Sequence, residues 1–158
     1  NYIAVFHHFI PPGVLEAIYV IEGLHKAGLS VEADTVYSDT HGQSETVFAF
    51  THLLGIQLMP RIRNWKDLKF YRPNKGTHYK YIDCFFTDVV NWRLILDHWK
   101  DLMQIAISIQ AGRIASPMLL RKLSNESRHN RLFAAARELG RVLRTVSLLR
   151  WINSKEMR

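Results

Sequence analysis

Apolar residues in the first 60 positions follow two alternating patterns. Runs rich in β-branched and aromatic residues predict strands at YIAVFHHFI (2–10), VEADTVYSD (31–39) and IQLMPRI (56–62). Between them, GVLEAIYVIEGLHKAG (13–28) and SETVFAFTHLLG (44–55) carry apolar residues at helical spacing, and each ends in glycine. Strands that alternate with helices predict an α/β fold with a partly parallel sheet.

The pattern changes after residue 63. Turn formers, aromatic residues and bases are mixed in the next part of the chain, which predicts a loop with room for one short strand. From Asn91 onward the spacing is helical, with helices expected at 92–112, 116–124 and 130–152. The predicted organisation is an α/β core over 1–63, a basic and aromatic connection over 64–90 and a helical region over 91–158.

The charge is distributed unevenly. The net charge is +7, but residues 1–60 hold one base, Lys26, and six acids, for −5. The remaining 98 residues hold twenty bases and eight acids, for +12. A basic half of this kind predicts a polyanion partner, and the alternative is an ordinary solvated basic surface.

Other compositional features narrow the class of protein. Cys84 is the sole cysteine, so we expect no intrachain disulfide and no cysteine metal site. No apolar run approaches the roughly 20 residues that span a bilayer, and residues 1–10 lack the pattern of a signal peptide. A lone cysteine suits a reducing cytoplasm, which is the expected location.

Asp39 is the first candidate for chemistry. It ends a predicted strand, just before a helix that begins near Ser44. A carboxylate there can cap a turn or hold a metal ion, and ligands of open α/β sheets bind at strand carboxyl ends. His7 and His8 are adjacent on a strand and so point to opposite faces. His52 lies inside an apolar helix and is expected to be a core histidine.

Two resemblances include Asp39. SDTHG (38–42) is similar to the first metal motif of calcineurin-like metallophosphoesterases, but the histidine motifs that this family needs downstream are missing. SDTHGQSETVFAFTHLLGIQLMPRIRNWKD (38–67) resembles the second-aspartate block of Tn3-family transposases. LLRKLSNESRHNRLFAAARELGRVLRTVSLLRWI (119–152) resembles the helical segment before the last catalytic acid of the same family, and the blocks occur in the family's order.

The Tn3 resemblance implies a DDE transposase in which residues 1–63 are part of a ribonuclease H-like catalytic core, a mixed sheet with flanking helices, followed by an all-helical insertion over 91–158. Such an enzyme cleaves transposon ends and joins 3′-hydroxyls to target DNA, with two divalent cations, Mg²⁺ or Mn²⁺, on three carboxylates. Asp39 would be the second carboxylate. The other two would lie before Asn1 and after Arg158, so this chain would be an internal piece, inactive alone and prone to self-association through exposed strand edges.

Glu45 matches an acidic position of the family's block that is not one of the three metal-binding carboxylates. There it would stabilise the helix N-terminus electrostatically. The expected DNA contacts are basic residues after Pro60, some of them interleaved with Trp65, Phe70 and Tyr71. They are Arg61, Arg63, Lys66, Lys69, Arg72, Arg137, Arg141 and Arg144. The alternative functions are a non-catalytic DNA-binding or assembly module from a degraded transposon and, less favoured, a metallophosphoesterase-like hydrolase.

Overall fold

A computed structural model describes residues 35–38, 43–64, 68–111 and 131–154. In chain order, the elements are β1 (Thr35–Ser38), α1 (Glu45–Leu53), β2 (Gln57–Pro60), β3 (Phe70–Arg72), a 3₁₀ turn (Asp83–Phe85), β4 (Phe86–Val89), α2 (Trp92–Asp97), α3 (Trp99–Gln110) and α4 (Arg131–Asn153). The strand predicted at 2–10 and the helices predicted at 13–28 and 116–124 lie outside these ranges.

The first described unit is a β-α-β segment. β1 and β2 pair in parallel, with Val36 opposite Leu58 and Ser38 opposite Pro60. α1 connects them and buries Val47 and Phe48 together with Leu58. The predicted strands and helix of this region are therefore confirmed, and β2 is shorter than the strand predicted at 56–62. The mixed α/β class is confirmed as well.

α1 ends in a Schellman motif. The N–H of Ile56 donates to the carbonyl of Thr51 at 2.8 Å, and the N–H of Gly55 donates to the carbonyl of His52 at 2.9 Å. Gly55 has a φ of +79°, which a residue without Cβ adopts readily. The glycine stop is thus confirmed. Ser44 precedes the helix as predicted, but its hydroxyl pairs with that of Thr46 rather than capping the backbone.

Residues 68–90 are more ordered than the predicted loop. β3 and β4 pair in parallel, with an irregularity in the register between Phe70 and Tyr71. Phe70 and Phe86 are buried with Leu148 of α4, which packs this second pair of strands against the long helix. Burial of aromatic side chains therefore fixes a segment whose turn formers suggested a loop.

The helix predicted at 92–112 is divided in two. Asn91 caps α2, because its side chain accepts from the N–H of Leu94 at 3.1 Å. His98 separates α2 from α3, and the N–H of Leu102 resumes helical bonding to the carbonyl of His98. α4 confirms the predicted helix at 130–152. No helix in the described part of the chain is long and apolar enough to cross a membrane.

One main core joins the helices. α4 packs along α1, and Ala136 and Leu139 of α4 are buried with Phe50 of α1 and Leu102 of α3. The apolar residues at helical spacing on α4, Leu132, Ala136, Leu139 and Leu143, face this core, whereas Val146 is 40% exposed. The core draws residues from all three predicted regions, so α4 is packed directly on the first region. The division at residues 63 and 90 stays a prediction.

Candidate catalytic and nucleic-acid-binding site

The residues that flank the segment containing Asp39 are fixed by hydrogen bonds. Asp39 itself, with residues 40–42, lies outside the described ranges. Before it, the carbonyl of Ser38 accepts a hydrogen bond from the N–H of Arg61 at 2.9 Å. After it, Nε2 of Gln43 donates to the carbonyl of Arg61 at 2.7 Å. The backbone of Arg61, directly after β2, therefore binds the chain both before and after Asp39.

Glu45 forms the centre of an ion cluster in the first turn of α1. Its carboxylate accepts from the Tyr71 hydroxyl at 3.0 Å and from Nε of Arg141 at 3.3 Å. Nη2 of Arg144 lies 3.3 Å from the same carboxylate. The Glu45 side chain is only 15% exposed, so these contacts are largely shielded from water. Glu45 thus joins α1 to α4 as well as facing the helix N-terminus.

A second acid completes the cluster. Glu138 pairs with Nη1 of Arg141 and accepts from the N–H of Asn91 at 3.1 Å. Arg141 also lies over the Tyr71 ring, with 4.8 Å between its guanidinium carbon and the ring centroid. Two arginines therefore face two glutamates, and the paired charges reduce the cost of burial.

Arg144 connects the cluster to the chain beside Asp39. Its Nη1 donates to the carbonyl of Gln43 at 3.2 Å. Its Nε is buried without a hydrogen-bond partner among the described residues. Arg144 therefore depends on Glu45 and Gln43 for the compensation of its charge.

Gly140 permits this close approach of α4 to α1. A Cβ atom at residue 140 would lie 1.6 Å from the carbonyl oxygen and 2.3 Å from the carbonyl carbon of Glu45. Only glycine fits at that distance, because the obstructing atoms belong to the backbone. The ion cluster forms beside this crossing point, at the residue that precedes Arg141.

Burial and neighbouring charges shift the pKa of two members of the cluster, Tyr71 and Arg141. Burial raises the pKa of the Tyr71 hydroxyl, and the adjacent Glu45 raises it further against the opposing effect of Arg141. Burial alone would lower the pKa of Arg141, but Glu45 and Glu138 outweigh it and raise that pKa. Tyr71 is therefore a neutral donor, and Arg141 stays charged.

The predicted DNA contacts fall into two groups. Four of them are exposed: Arg61, Arg63, Lys69 and Arg137. Three are largely covered and form ion pairs: Arg72 with Asp83, and Arg141 and Arg144 with Glu45. Lys66 lies outside the described residues. Arg61, which the predicted strand at 56–62 included, and Arg63 both lie after β2, which ends at Pro60.

Two expectations about aromatic residues and histidine change. Phe70 and Tyr71 are 3% and 8% exposed, so their rings are not available for base stacking in this structure. Trp65 lies outside the described residues. His52 is exposed on α1, so the prediction of a core histidine is wrong. The prediction rested on its position inside an apolar helix, but His52 lies one residue past the last buried position, Thr51.

A family model described as the Tn3 transposase DDE domain matches residues 1–158. The chain belongs to this family. The resemblance seen in the two sequence blocks is thereby confirmed over the whole chain.

Relatives within the Tn3 family give the same result. The chain is 38% identical over 148 residues to the transposase for transposon Tn501 of Pseudomonas aeruginosa, covering 92% of the chain and 15% of the relative. It is 36% identical over 158 residues to the transposase for transposon Tn21 of Escherichia coli, covering 98% and 16%. For the transposase for transposon Tn1546 of Enterococcus faecium, the values are 33% over 145 residues, 90% and 14%. The chain thus spans about 15% of the length of these relatives.

The description of the family as a DDE domain implies divalent-metal chemistry. Among the described residues, no group of three or more His, Cys, Asp or Glu side chains could hold a metal ion. Glu45 and Glu138 are committed to arginines. The described residues therefore do not form a metal site by themselves.

Two residues of this contact cluster, Gln43 and Glu138, were missed by sequence reasoning. Gln43 gave no signal, because one glutamine beside a helix start has no characteristic spacing. Glu138 did carry one, since it lies three residues before Arg141, where a helix brings opposite charges together. Its burial, however, depends on contacts that are distant in sequence.

Proposed function

We propose that this chain is part of the catalytic region of a Tn3-type DDE transposase, which cleaves transposon ends and joins the 3′-hydroxyls to target DNA. The observation that carries the proposal is the family match over residues 1–158. The names of the relatives, each a transposase for a transposon, support it. The parallel β1–β2 pair is compatible with neighbouring strands of a ribonuclease H-like sheet, which we include in the proposal.

Asp39 is the proposed metal-binding carboxylate of this chain, the second of three. It follows Ser38 directly, and β1 and β2 end side by side at Ser38 and Pro60. Strand carboxyl ends are the usual position for ligand groups in such sheets. A divalent cation, Mg²⁺ or Mn²⁺, would supply activation of the attacking oxygen and stabilisation of the leaving oxygen.

The contribution of the described residues is positional. Arg61 holds Ser38 and Gln43 through its backbone, and Arg144 holds Gln43 from α4. Glu45 fixes Arg144 in turn. These contacts anchor the chain on both sides of Asp39, which favours one placement of its carboxylate over many.

DNA is the proposed partner, as transposon ends and as target, and self-association accompanies it. The best-placed phosphate contacts of the predicted set are its exposed basic residues, Arg61, Arg63, Lys69 and Arg137. Arg72, Arg141 and Arg144 have carboxylate partners and would have to share or exchange them to contact DNA.

The proposal is tested by Asp39→Asn in the complete enzyme. Loss of a metal-binding carboxylate should lower strand transfer roughly a thousand-fold or more while transposon-end binding persists. Strand transfer is measured on labelled transposon ends with Mg²⁺ or Mn²⁺. Asp88→Asn is the matched control, because Asp88 is an exposed acid whose side chain bonds only to the next N–H among the described contacts. Near-normal transfer by Asp39→Asn would remove Asp39 from the proposed metal site.

A further inference from the structure

The turn that follows β3 exposes basic side chains and an aromatic ring together. We define the basic turn as residues 74–81, NKGTHYKY. Lys75, His78 and Lys80 are exposed, and Tyr81 is 82% exposed. The sequence contains no acid between residues 68 and 82. The combination of positive charge and an open aromatic face is typical of nucleic-acid contacts.

The basic turn is pre-organised by contacts within the chain. Oδ1 of Asn74 accepts from the N–H of Gly76 at 3.0 Å and from the Thr77 hydroxyl at 2.9 Å. Tyr79 stacks on Phe86 with 4.4 Å between ring centroids, and its N–H donates to Asp83 at 3.0 Å. The inward ring of Tyr79 therefore anchors the turn. A ligand that binds its outer side need not order it first.

The acid nearest the basic turn is already compensated. Oδ2 of Asp83 lies 3.0 Å from Nη2 of Arg72 and 3.5 Å from Nδ1 of His78. The Arg72 guanidinium makes this ion pair and also donates a hydrogen bond to the Asp83 carbonyl. Lys75 and Lys80 remain exposed, and the turn stays attractive to anions.

Lys80 and Tyr81 combine charge with a stacking surface. The Lys80 ammonium lies 5.1 Å from the centroid of the Tyr81 ring. A phosphate can bind the ammonium while a base covers the ring. Such stacking requires a base whose face is free, which an unpaired strand offers and a continuous duplex does not.

We propose that the basic turn binds an unpaired DNA strand, with a base stacked on Tyr81 and phosphates on Lys75 and Lys80. The proposal rests on the proposed function for its choice of DNA as the ligand. It adds that the bound DNA strand is unpaired, and it names the contacting residues. The predicted stacking surface at residues 65–72 is replaced by residues 75–81, because Phe70 and Tyr71 are buried.

The test uses the 158-residue chain and a fluorescent oligothymidine of about 20 nucleotides, long enough for several stacking sites. Tyr81→Leu should weaken binding roughly five- to one-hundred-fold, and Tyr81→Phe should restore it because the ring remains. Binding to a duplex of equal length should change by less than about two-fold, since its base faces are covered. Fluorescence anisotropy measures both affinities.

A second variant tests the phosphates. The double variant Lys75→Gln with Lys80→Gln should flatten the salt dependence on the single strand by about 1.4 in the log–log slope, or about 0.7 per phosphate contact. Lys100→Gln, an exposed lysine on α3, is the matched control and should leave the slope unchanged. Thermal unfolding of each variant verifies the fold.

Several results would overturn the inference. Equal single-strand affinity of Tyr81→Leu and the parent chain is one, and equal losses on single strand and duplex are another. If sedimentation shows that Tyr81→Leu instead dissociates a self-associated form, the ring serves a second copy of the chain. These outcomes are independent of strand transfer by Asp39→Asn in the complete enzyme. Either proposal can therefore fail while the other holds.

Discussion

Gly140→Ala gives the sharpest test of the packing between α1 and α4. In an exposed helix interior, this substitution stabilises by about 1 kcal/mol through helix propensity. Here the added methyl would lie 1.6 Å from the carbonyl oxygen of Glu45. Non-bonded heavy atoms need about 3.5 Å, so the helices would have to separate by about 2 Å. The sign of the usual effect should therefore reverse.

The expected loss follows from overpacking and from the ion cluster beside the contact. Overpacking costs about 1–3 kcal/mol, occasionally more. Separation of the helices also lengthens the 3.3 Å contacts of Glu45 with Arg141 and Arg144. We expect a net destabilisation of about 2–4 kcal/mol after the gain in helix propensity. For a chain of this size, that lowers Tm by roughly 5–15 °C.

Urea unfolding followed by circular dichroism measures this difference, with Gly55→Ala as control. A methyl at Gly55 would meet open space, so its cost is limited to the left-handed backbone, about 1–2 kcal/mol. A second measurement uses Arg144→Gln in both backgrounds, which should cost less when Gly140→Ala has already loosened its contacts. An unchanged or raised urea midpoint for Gly140→Ala would refute the close approach of the two backbones.

Three further predictions concern the charges. Glu45→Gln should destabilise by about 2–3 kcal/mol by leaving Arg144 without its carboxylate, whereas Asp97→Asn, in the exposed pair with Arg93, should change the urea midpoint little. Arg137→Gln should flatten the salt slope of duplex DNA binding by about 0.9 without loss of Tm, and an unchanged slope would make Arg137 a solvated residue. Tyr71, whose pKa is raised by burial and Glu45, contributes stability that is present below pH 10 and lost as pH rises through the folded-state pKa. Tyr71→Phe should therefore reduce the alkaline loss of stability in parallel urea titrations at pH 8 and above, and equal losses would contradict the contact.

Local patterns predicted the elements that depend on local physics. Apolar periodicity placed α1 and α4, and the glycine after α1 marked its end. The strands flanking α1 followed from β-branched runs and the connection between them. Residues 68–90 were harder, because β3 and β4 owe their order to the burial of Phe70 and Phe86 against α4, far along the chain.

The basic residues show where sequence patterns mislead. Arg137, Arg141 and Arg144 share helical spacing, and spacing alone treats them alike. In the structure, Arg137 is exposed while the other two are 20% and 18% exposed and face Glu45. The difference arises because the backbone of α1 crosses α4 at Gly140, a contact between residues about a hundred positions apart.

The same crossing relates the helical region to the proposed chemistry. α4 holds Gln43 through Arg144, and Gln43 is also held by Arg61, whose N–H binds the end of β1. A change in α4 would therefore affect the chain on both sides of Asp39 through Gln43 and Arg61. In the proposed transposase, α4 is then a support of the catalytic strand as well as part of a helical insertion. This explains why two arginines that look suited to DNA are instead paired with an acid in the first turn of α1.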